Sequence, residues 1–223
     1  MEKPESPNSP LEDFYLSRYE EFGVSAQGVG WGPKNNQAAR FQNLTKYWNL
    51  RDASILDLGA GTADLFEWLV PHKIKSYVGL ELMPFYCNAA RKRFSSPKFE
   101  ILERDIYAES SYPHVDFGVA SGTFYLATDK EPEVQYEQIL GVLELLKKSC
   151  DIGFAVNFLA DTTTFRDASL FYANSERILQ MARRLSRRVV LSHFDFPFEF
   201  TLYVWGDDLY DTATSRYTNS QGL

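Results

Sequence analysis

Residues 53–81, ASILDLGAGTADLFEWLVPHKIKSYVGLE, decide the fold that the sequence predicts. Residues 54–58 form a short run of apolar and β-prone side chains, which predicts a buried strand. A turn with two glycines follows, and residues 63–70 then place their apolar side chains at helical spacing. A second apolar run, residues 77–80, ends on Glu81. Together these segments make one βαβ unit, whose ligand is expected at the carboxyl ends of its strands.

The glycine turn reads Asp57-Leu58-Gly59-Ala60-Gly61-Thr62, and its spacing separates two classes of cofactor. A dinucleotide fingerprint is G-x-G-x-x-G and seats a pyrophosphate at the N-terminus of the following helix. Here Asp64 stands at the third glycine position, where a carboxylate would repel a pyrophosphate. An NAD-dependent oxidoreductase is therefore the less favoured interpretation of this turn.

The pattern of an acid two residues before Gly59, the pair Gly59 and Gly61, Thr62, and the acid Glu81 resembles the cofactor site of class I S-adenosylmethionine-dependent methyltransferases. That cofactor carries a cationic amino group and a sulfonium and has no phosphate, so nearby acids favour it. The family often has a third glycine where this chain has Ala63. The resemblance covers roughly residues 31–205 and implies S-adenosylmethionine as the cofactor.

The resemblance also implies roles for individual residues. Glu81 would accept hydrogen bonds from the ribose diol, and Asp57 would orient the loop and the cofactor amino group. Asp105 would face the adenine amino group, Ile106 would pack on the ring, and Ser121 would face both cofactor and acceptor. Asp57 is also a common turn-forming acid, and Glu81 can be a solvated strand end. The full set predicted to bind the cofactor is Trp31, Arg40, Asp57, Gly59, Ala60, Gly61, Glu81, Leu82, Asp105, Ile106 and Ser121.

The segment before the first strand predicts a lid. Residues 11–22 and 33–50 have helical spacing, and the loop 23–32 between them contains four glycines. Helices in this place often form a lid in small-molecule methyltransferases. Arg40 would pair with the cofactor carboxylate by bidentate hydrogen bonds, or else be a surface arginine on an amphipathic helix.

Two residues are candidates for the catalytic side of the site. Tyr125 follows the fourth predicted strand and either lines the site or packs as a core or lid aromatic. Glu199 is flanked by Phe198 and Phe200, and apolar surroundings would raise its pKa and suit it to act as a base. The alternative is that Glu199 pairs with a nearby Lys or Arg.

Strands alternating with helices predict an α/β fold with a doubly wound, mostly parallel sheet of seven strands. The last two predicted strands, 189–192 and 200–205, are joined by too few residues for a crossover helix and should form an antiparallel C-terminal hairpin. This is the Rossmann-like arrangement that the methyltransferase resemblance implies. Ser175 is the expected cap of the last helix, and residues 160–172 are interpreted as an insertion. The predicted division is a disordered tail at 1–10, a helical lid at 11–50, the methyltransferase domain at 51–205 and a tail at 206–223.

The composition of the chain restricts the kinds of partner that it is expected to bind. The net charge of −7 argues against a nucleic-acid binder, because phosphate contacts need a basic face. The two cysteines and three histidines have no metal-ligand spacing, and no apolar run approaches a membrane span. Together with the methyltransferase resemblance, these features lead us to expect a cytoplasmic monomer or homodimer that methylates a small-molecule acceptor, with a non-catalytic S-adenosylmethionine-binding module as the alternative.

Overall fold

A computed structural model of the chain describes residues 10–30, 36–128 and 131–206. Trp31 lies outside the described residues, as do most of the two predicted tails. The helices are α1 (Pro10–Phe22), α2 (Gln37–Thr45), α3 (Asp64–Leu69), α4 (Pro84–Arg93), α5 (Pro132–Ser149) and α6 (Ser175–Leu185). The strands are β1 (Ser54–Leu58), β2 (Ser76–Glu81), β3 (Phe99–Glu103), β4 (Val115–Ala120), β5 (Cys150–Ala160), β6 (Tyr172–Ala173), β7 (Val189–Ser192) and β8 (Glu199–Trp205).

One sheet contains all the strands of the described residues, in the order β3-β2-β1-β4-β5-β8-β7, with β6 paired to β5 beside this path. Strands β1 to β5 pair in parallel, whereas β8 is antiparallel to both β5 and β7. The predicted doubly wound sheet and its antiparallel C-terminal hairpin are therefore confirmed. The two-residue strand β6 is absent from the prediction, since so short a segment at the end of the 160–172 insertion has no periodicity.

Two local expectations need correction. Helix α2 ends at Thr45 and begins at Gln37, so it is shorter than the predicted span 33–50. The cap of α6 is Asn174 rather than Ser175, because the Asn174 side chain accepts a hydrogen bond of 3.0 Å from the amide of Arg177. A side-chain acceptor placed three residues before the donor is the usual N-cap geometry.

Both faces of the sheet are covered by helices, which explains why consecutive residues of its strands are buried. On β1, Ile55 belongs to the core cluster under α2, α3 and α4, whereas Leu56 belongs to the cluster under α5 and α6. Burial on both faces is the normal state of a parallel sheet. The chain winds from β1 outward to β3 and then returns to β4 on the other side of β1. The carboxyl ends of β1 and β4 therefore flank the switch point at which ligands of such sheets bind.

Among the described ranges, no helix is long and apolar enough to cross a membrane. Within the same part of the chain, no group of three or more His, Cys, Asp or Glu side chains is placed to hold a metal ion. Cys87 and Cys150 are both buried and form no disulfide.

Candidate functional site

The glycine loop lies at the switch point and has an unusual backbone. Gly59, Gly61 and Ala63 have φ of 69°, 55° and 63°, in the left-handed region. Glycine adopts this conformation freely, whereas at Ala63 it costs roughly 1–2 kcal/mol. The amides of Gly59 and Ala60 both donate to the carbonyl of Leu80, at 2.8 and 3.1 Å. The loop is thereby folded back onto the end of β2.

Glu81 closes β2 and holds the loop from the other side. Its Oε2 accepts from the Gly61 amide at 2.7 Å, and its Oε1 accepts from the Met83 amide at 2.8 Å. The residue is 7% exposed, and burial raises its pKa although the backbone hydrogen bonds oppose the shift. A carboxylate has about four acceptor positions, so Glu81 keeps capacity for a hydroxyl ligand. Leu82 follows it and is 38% exposed, at the open side of the strand end.

Asp57 lies beneath the loop rather than on its open side. Its Oδ2 accepts a 2.6 Å hydrogen bond from the hydroxyl of Tyr77, which is fully buried in the α2–α3–α4 core cluster. The pKa of Asp57 is raised to about 7, chiefly by burial, with the Tyr77 hydrogen bond lowering it and the nearby Glu81 and Asp64 adding to the rise. The structure thus shows Asp57 as the buried hydrogen-bond partner of Tyr77, on the strand next to β1. Its role toward a cofactor amino group stays a prediction.

Asp64 does not present a free negative charge. Arg93 on α4 donates to Asp64 Oδ1 at 2.6 Å and also to the Thr62 carbonyl at 2.7 Å. The same guanidinium pairs with Glu67 at 2.7 Å. Because Arg93 compensates the carboxylate, the expected repulsion of a pyrophosphate by Asp64 is weakened. The missing third glycine is what still separates this loop from a dinucleotide fingerprint.

The predicted adenine side follows β3. Asp105 is half-buried, and its Oδ1 accepts from the Tyr107 amide at 2.9 Å, which makes a local turn. Ile106 is 7% exposed and packs in the core cluster under α5. The Arg104 amide donates to the Glu81 carbonyl at 2.9 Å, so this turn lies directly beside the end of β2.

The loop after β4 contacts the glycine loop and contains an unpaired hydroxyl. The Thr123 hydroxyl donates to the Leu58 carbonyl at 2.7 Å, and a Cβ added at Gly59 would lie 2.9 Å from Thr123 Oγ1. Gly59 is therefore required by packing against Thr123, a long-range contact that the local sequence pattern does not reveal. Ser121 Oγ is buried and has no hydrogen-bond partner among the described residues. Such a group costs about 1–3 kcal/mol, which a polar ligand atom would recover.

The segment after α1 covers the glycine loop. A Cβ added at Gly61 would meet Val29 Cγ1 at 3.2 Å. Tyr86 on α4 donates its hydroxyl to the Gly28 carbonyl, and its ring meets that of Tyr15 edge to face at 5.9 Å. Burial raises the pKa of Tyr15, and the charge of Glu81 is the next cause. These contacts were missed, although Tyr15 belongs to the helical apolar set of α1.

Arg40, Tyr125 and Glu199, three separate predictions, belong to one buried cluster with Asn157. Arg40 Nε donates to both carboxylate oxygens of Glu199, at 3.1 and 2.9 Å, and Nη2 lies 2.8 Å from Oε2. Tyr125 donates its hydroxyl to Glu199 Oε2 at 2.8 Å and accepts from Asn157 Nδ2 at 2.8 Å. Asn157 Oδ1 accepts from the Gly122 amide at 2.8 Å, which links the cluster to the end of β4.

The contacts in this cluster correct the expected roles of Arg40 and Glu199 and restrict the role of Tyr125. Arg40 is 7% exposed, so it is not a surface arginine, and its fork engages Glu199 rather than facing a cofactor carboxylate. Glu199 is 1% exposed and paired with a guanidinium, which is the alternative that the sequence left open and not an apolar setting for a base. Burial and then Glu199 raise the pKa of Tyr125 well above its ordinary value, so the phenol stays protonated at neutral pH.

The comparisons with known proteins identify the fold. No protein-family model matches the sequence, and no curated protein sequence matches it. Several solved structures match this chain. Magnesium protoporphyrin IX methyltransferase ChlM from Synechocystis PCC 6803, with bound SAH, superposes with a TM-score of 0.61 at 11% identity, over 88% of this chain and 98% of that one. N-methyltransferase NodS from Bradyrhizobium japonicum WM9, also with SAH, gives 0.62 at 14% identity, over 89% and 99%. A putative methyltransferase in complex with the Haloferax volcanii activator Trm112 gives 0.63 at 12%, over 90% and 100%.

The chain therefore has the fold of class I S-adenosylmethionine-dependent methyltransferases, as its glycine loop predicts. The strand order and the antiparallel pair at the end of the sheet agree with this fold. The low identities show the fold, and the chemistry has to be argued from the residues of this chain.

Proposed function

We propose that this chain is an S-adenosylmethionine-dependent methyltransferase acting on a small-molecule acceptor. The observation that carries the proposal is the buried carboxylate of Glu81, which closes β2 and accepts from the Gly61 amide. A carboxylate at this place suits the two hydroxyls of a ribose. Support also comes from the fold, since neighbours such as ChlM and NodS were solved with bound SAH.

The described residues offer a complementary group for each part of this cofactor. Glu81 would hold the ribose, and Asp105 with Ile106 would hold the adenine. The backbone of Gly59, Ala60 and Gly61 would line the opposite side. The buried, unpaired Ser121 Oγ would bond the polar end of the methionine portion. When bound, the cofactor supplies an electrophilic methyl carbon.

The cluster around Glu199 provides a polar wall on the acceptor side. Its hydrogen bonds run from the Gly122 amide through Asn157 and Tyr125 to Glu199, so the Tyr125 ring is held in one place. A protonated phenol and a carboxylate with a guanidinium partner are poor proton acceptors. We therefore assign Tyr125 and Glu199 to acceptor positioning rather than to proton abstraction. An acceptor that is nucleophilic without a strong base, such as an amine, thiolate or carboxylate, suits this wall best.

Several predictions from the sequence continue as parts of this proposal. The net charge of −7 favours a small molecule over a nucleic acid as acceptor. Cytoplasmic location, a monomeric or homodimeric state and the division into lid and methyltransferase domain belong to the same proposal.

The proposed lid is the segment that includes α1 and the turn Gln27–Val29. Val29 lies against Gly61, and Tyr86 holds the neighbouring Gly28 carbonyl, so this segment covers the loop that the cofactor would contact. Entry of the cofactor then requires the segment to move, and its return would exclude water from the site. Limited proteolysis tests this: cleavage between residues 23 and 30 should slow when S-adenosylhomocysteine is added. Equal cleavage rates in both states would rule out the lid and leave the cofactor site untouched.

Turnover tests the function itself. The full chain is incubated with S-adenosylmethionine labelled on the methyl group and with pools of small amines, thiols, carboxylates and phenols. We expect label to appear in one pool together with S-adenosylhomocysteine. Binding of S-adenosylhomocysteine without transfer to any pool would favour the non-catalytic module, and saturable binding of NAD alone would favour the oxidoreductase.

A further inference from the structure

The glycine loop contains a strained residue, Ala63, whose conformation is enforced by its neighbours. Its φ is 63°, its side chain is fully buried, and it precedes α3 without a side-chain cap. A left-handed conformation in a residue other than glycine persists only when the surrounding contacts impose it. The contacts that impose it here therefore set the shape of the loop.

The peptide group that joins Thr62 to Ala63 is hydrogen-bonded at both of its ends. The Ala63 amide donates to the Ala60 carbonyl at 2.9 Å, within the loop. The Thr62 carbonyl accepts at 2.7 Å from Nη1 of Arg93, the last residue of α4. Rotation of this peptide group would change φ of Ala63 and relieve its strain, but it would break both hydrogen bonds. Arg93 thus opposes the rotation from outside the loop.

The guanidinium of Arg93 is itself fixed by two acids on α3. Nη1 also donates to Asp64 Oδ1 at 2.6 Å, and Nη2 donates to Glu67 Oε2 at 2.7 Å. Charged hydrogen bonds of this kind are short and strong. The Thr62 carbonyl is therefore bound to a donor group that has little freedom to move.

The segment from β2 to α4 contacts the loop at two consecutive residues. Glu81, the last residue of β2, accepts from the Gly61 amide at 2.7 Å. Arg93, at the end of the helix that follows this strand, donates to the next residue, Thr62. A change in the orientation of the Thr62–Ala63 peptide group should therefore also disturb the contact between Gly61 and Glu81.

We propose that Arg93 is a positioning residue for the cofactor, which keeps the Thr62–Ala63 peptide group in the orientation in which the glycine loop binds its ligand. The effect on a cofactor rests on the proposed function, whereas the effect on the loop does not. A loop that already has its binding conformation pays less for ordering when a ligand binds. Arg93 strengthens binding in this way without contacting the ligand.

The amide signal of Gly61 in spectra of the full ¹⁵N-labelled chain tests the effect on the loop, because this amide is bonded to Glu81. In Arg93→Gln the signal should move as the peptide group turns over. Arg91→Gln is the matched control, since Arg91 lies on the same helix and donates to the Ile101 carbonyl on β3 at 3.1 Å. This control should leave the Gly61 signal at its parent position.

Ala63→Gly distinguishes a conformational role of Arg93 from a merely structural one. Glycine adopts the left-handed region without strain, so adding Ala63→Gly to Arg93→Gln should return the Gly61 signal toward its parent position. A loss of global stability alone would not move the signal of the folded chain.

Calorimetric titration with S-adenosylhomocysteine tests the effect on the cofactor. When only a fraction of the molecules has the binding conformation, the apparent affinity falls by that fraction. We expect an affinity loss of about tenfold in Arg93→Gln and recovery to within about threefold of the parent when Ala63→Gly is added. Arg91→Gln and Ala63→Gly alone should bind like the parent.

The proposal is overturned if Arg93→Gln leaves either the Gly61 signal or the affinity for S-adenosylhomocysteine as in the parent. It is equally overturned if Ala63→Gly restores neither of them. Absence of S-adenosylhomocysteine binding by the parent chain would instead refute the proposed function, and the Gly61 signals would then still decide whether Arg93 holds the loop.

Discussion

The glycine loop and the Arg40–Glu199 cluster are two polar regions on the side of the sheet where the parallel strands end. They are stabilised by different kinds of interaction. In the first, the Glu81 carboxylate accepts from the backbone amides of Gly61 and Met83, which lie 20 and 2 residues away in the same βαβ region. In the second, a buried ion pair joins side chains from α2 and β8 that are 159 residues apart. This difference indicates that backbone conformation sets the shape of the loop, whereas the pairing of two opposite charges stabilises the cluster. Perturbing each should therefore have consequences of different size.

The largest effect is expected from Arg40→Met. It leaves the Glu199 carboxylate buried without a countercharge, and removing one partner of such a pair costs about 3–5 kcal/mol of unfolding free energy. Urea denaturation followed by circular dichroism measures the loss. The double variant Arg40→Met with Glu199→Leu should recover a large part of it, since no unpaired charge remains.

Lys46→Met is the matched control, because Lys46 pairs with Asp195 at 2.7 Å and their side chains are 26% and 29% exposed. A surface pair of this kind contributes about 0–1 kcal/mol. If Arg40→Met were no more destabilising than Lys46→Met, the buried cluster would not have the importance assigned to it.

The next effect concerns pH and Asp57 under the glycine loop. The folded chain keeps the Asp57 proton up to a pKa of about 7, whereas the ordinary value is 3.8. Between these values the folded state binds more protons than the unfolded state, so the unfolding free energy should fall as pH rises from 4 to 7. Each pKa unit corresponds to about 1.4 kcal/mol.

Asp57→Asn removes this titration, and the comparison is a series of denaturation curves of both proteins across that pH range. The parent should lose stability relative to Asp57→Asn as the pH increases. Parallel pH profiles of the two proteins would show that Asp57 is not buried as described.

Glu81→Ala should weaken binding of S-adenosylhomocysteine by about 1.5–3 kcal/mol for each charged hydrogen bond lost. Glu81→Gln should do less damage, because one oxygen acceptor remains. Glu103→Ala is the control, since Glu103 pairs in register with Glu81 on the neighbouring strand and is exposed. Calorimetry that gave equal affinities for Glu81→Ala and Glu103→Ala would remove Glu81 from the site.

The smallest effect tests the cap of α6. Asn174→Ala removes the acceptor for the Arg177 amide, together with an exposed hydrogen bond from Asn174 Nδ2 to Asp161, and should cost about 1 kcal/mol of unfolding free energy. Ser175→Ala, one residue later, should change the unfolding free energy by much less. The opposite order would restore Ser175 as the cap of α6.

The same contrast between local and long-range contacts explains which parts of the molecule the sequence predicts. The βαβ unit of residues 53–81 is local, so its strands, its glycine turn and the position of Glu81 follow from periodicity and turn chemistry. Arg40 and Glu199 were each selected, yet their pairing was not, because no local pattern encodes a contact across most of the chain. The roles of Thr123 and Val29 against the glycine loop were missed for the same reason. The sequence overestimates the repulsion between Asp64 and a pyrophosphate, because the compensating Arg93 lies on another helix.

The central claim is that the glycine loop and Glu81 hold S-adenosylmethionine. The most direct test is a pair of calorimetric titrations of the parent chain, one with S-adenosylhomocysteine and one with NAD. We predict saturable one-to-one binding of S-adenosylhomocysteine, lost in Glu81→Ala, and no saturable heat with NAD. Saturable binding of NAD with none of S-adenosylhomocysteine would contradict the account, and so would undiminished S-adenosylhomocysteine binding by Glu81→Ala.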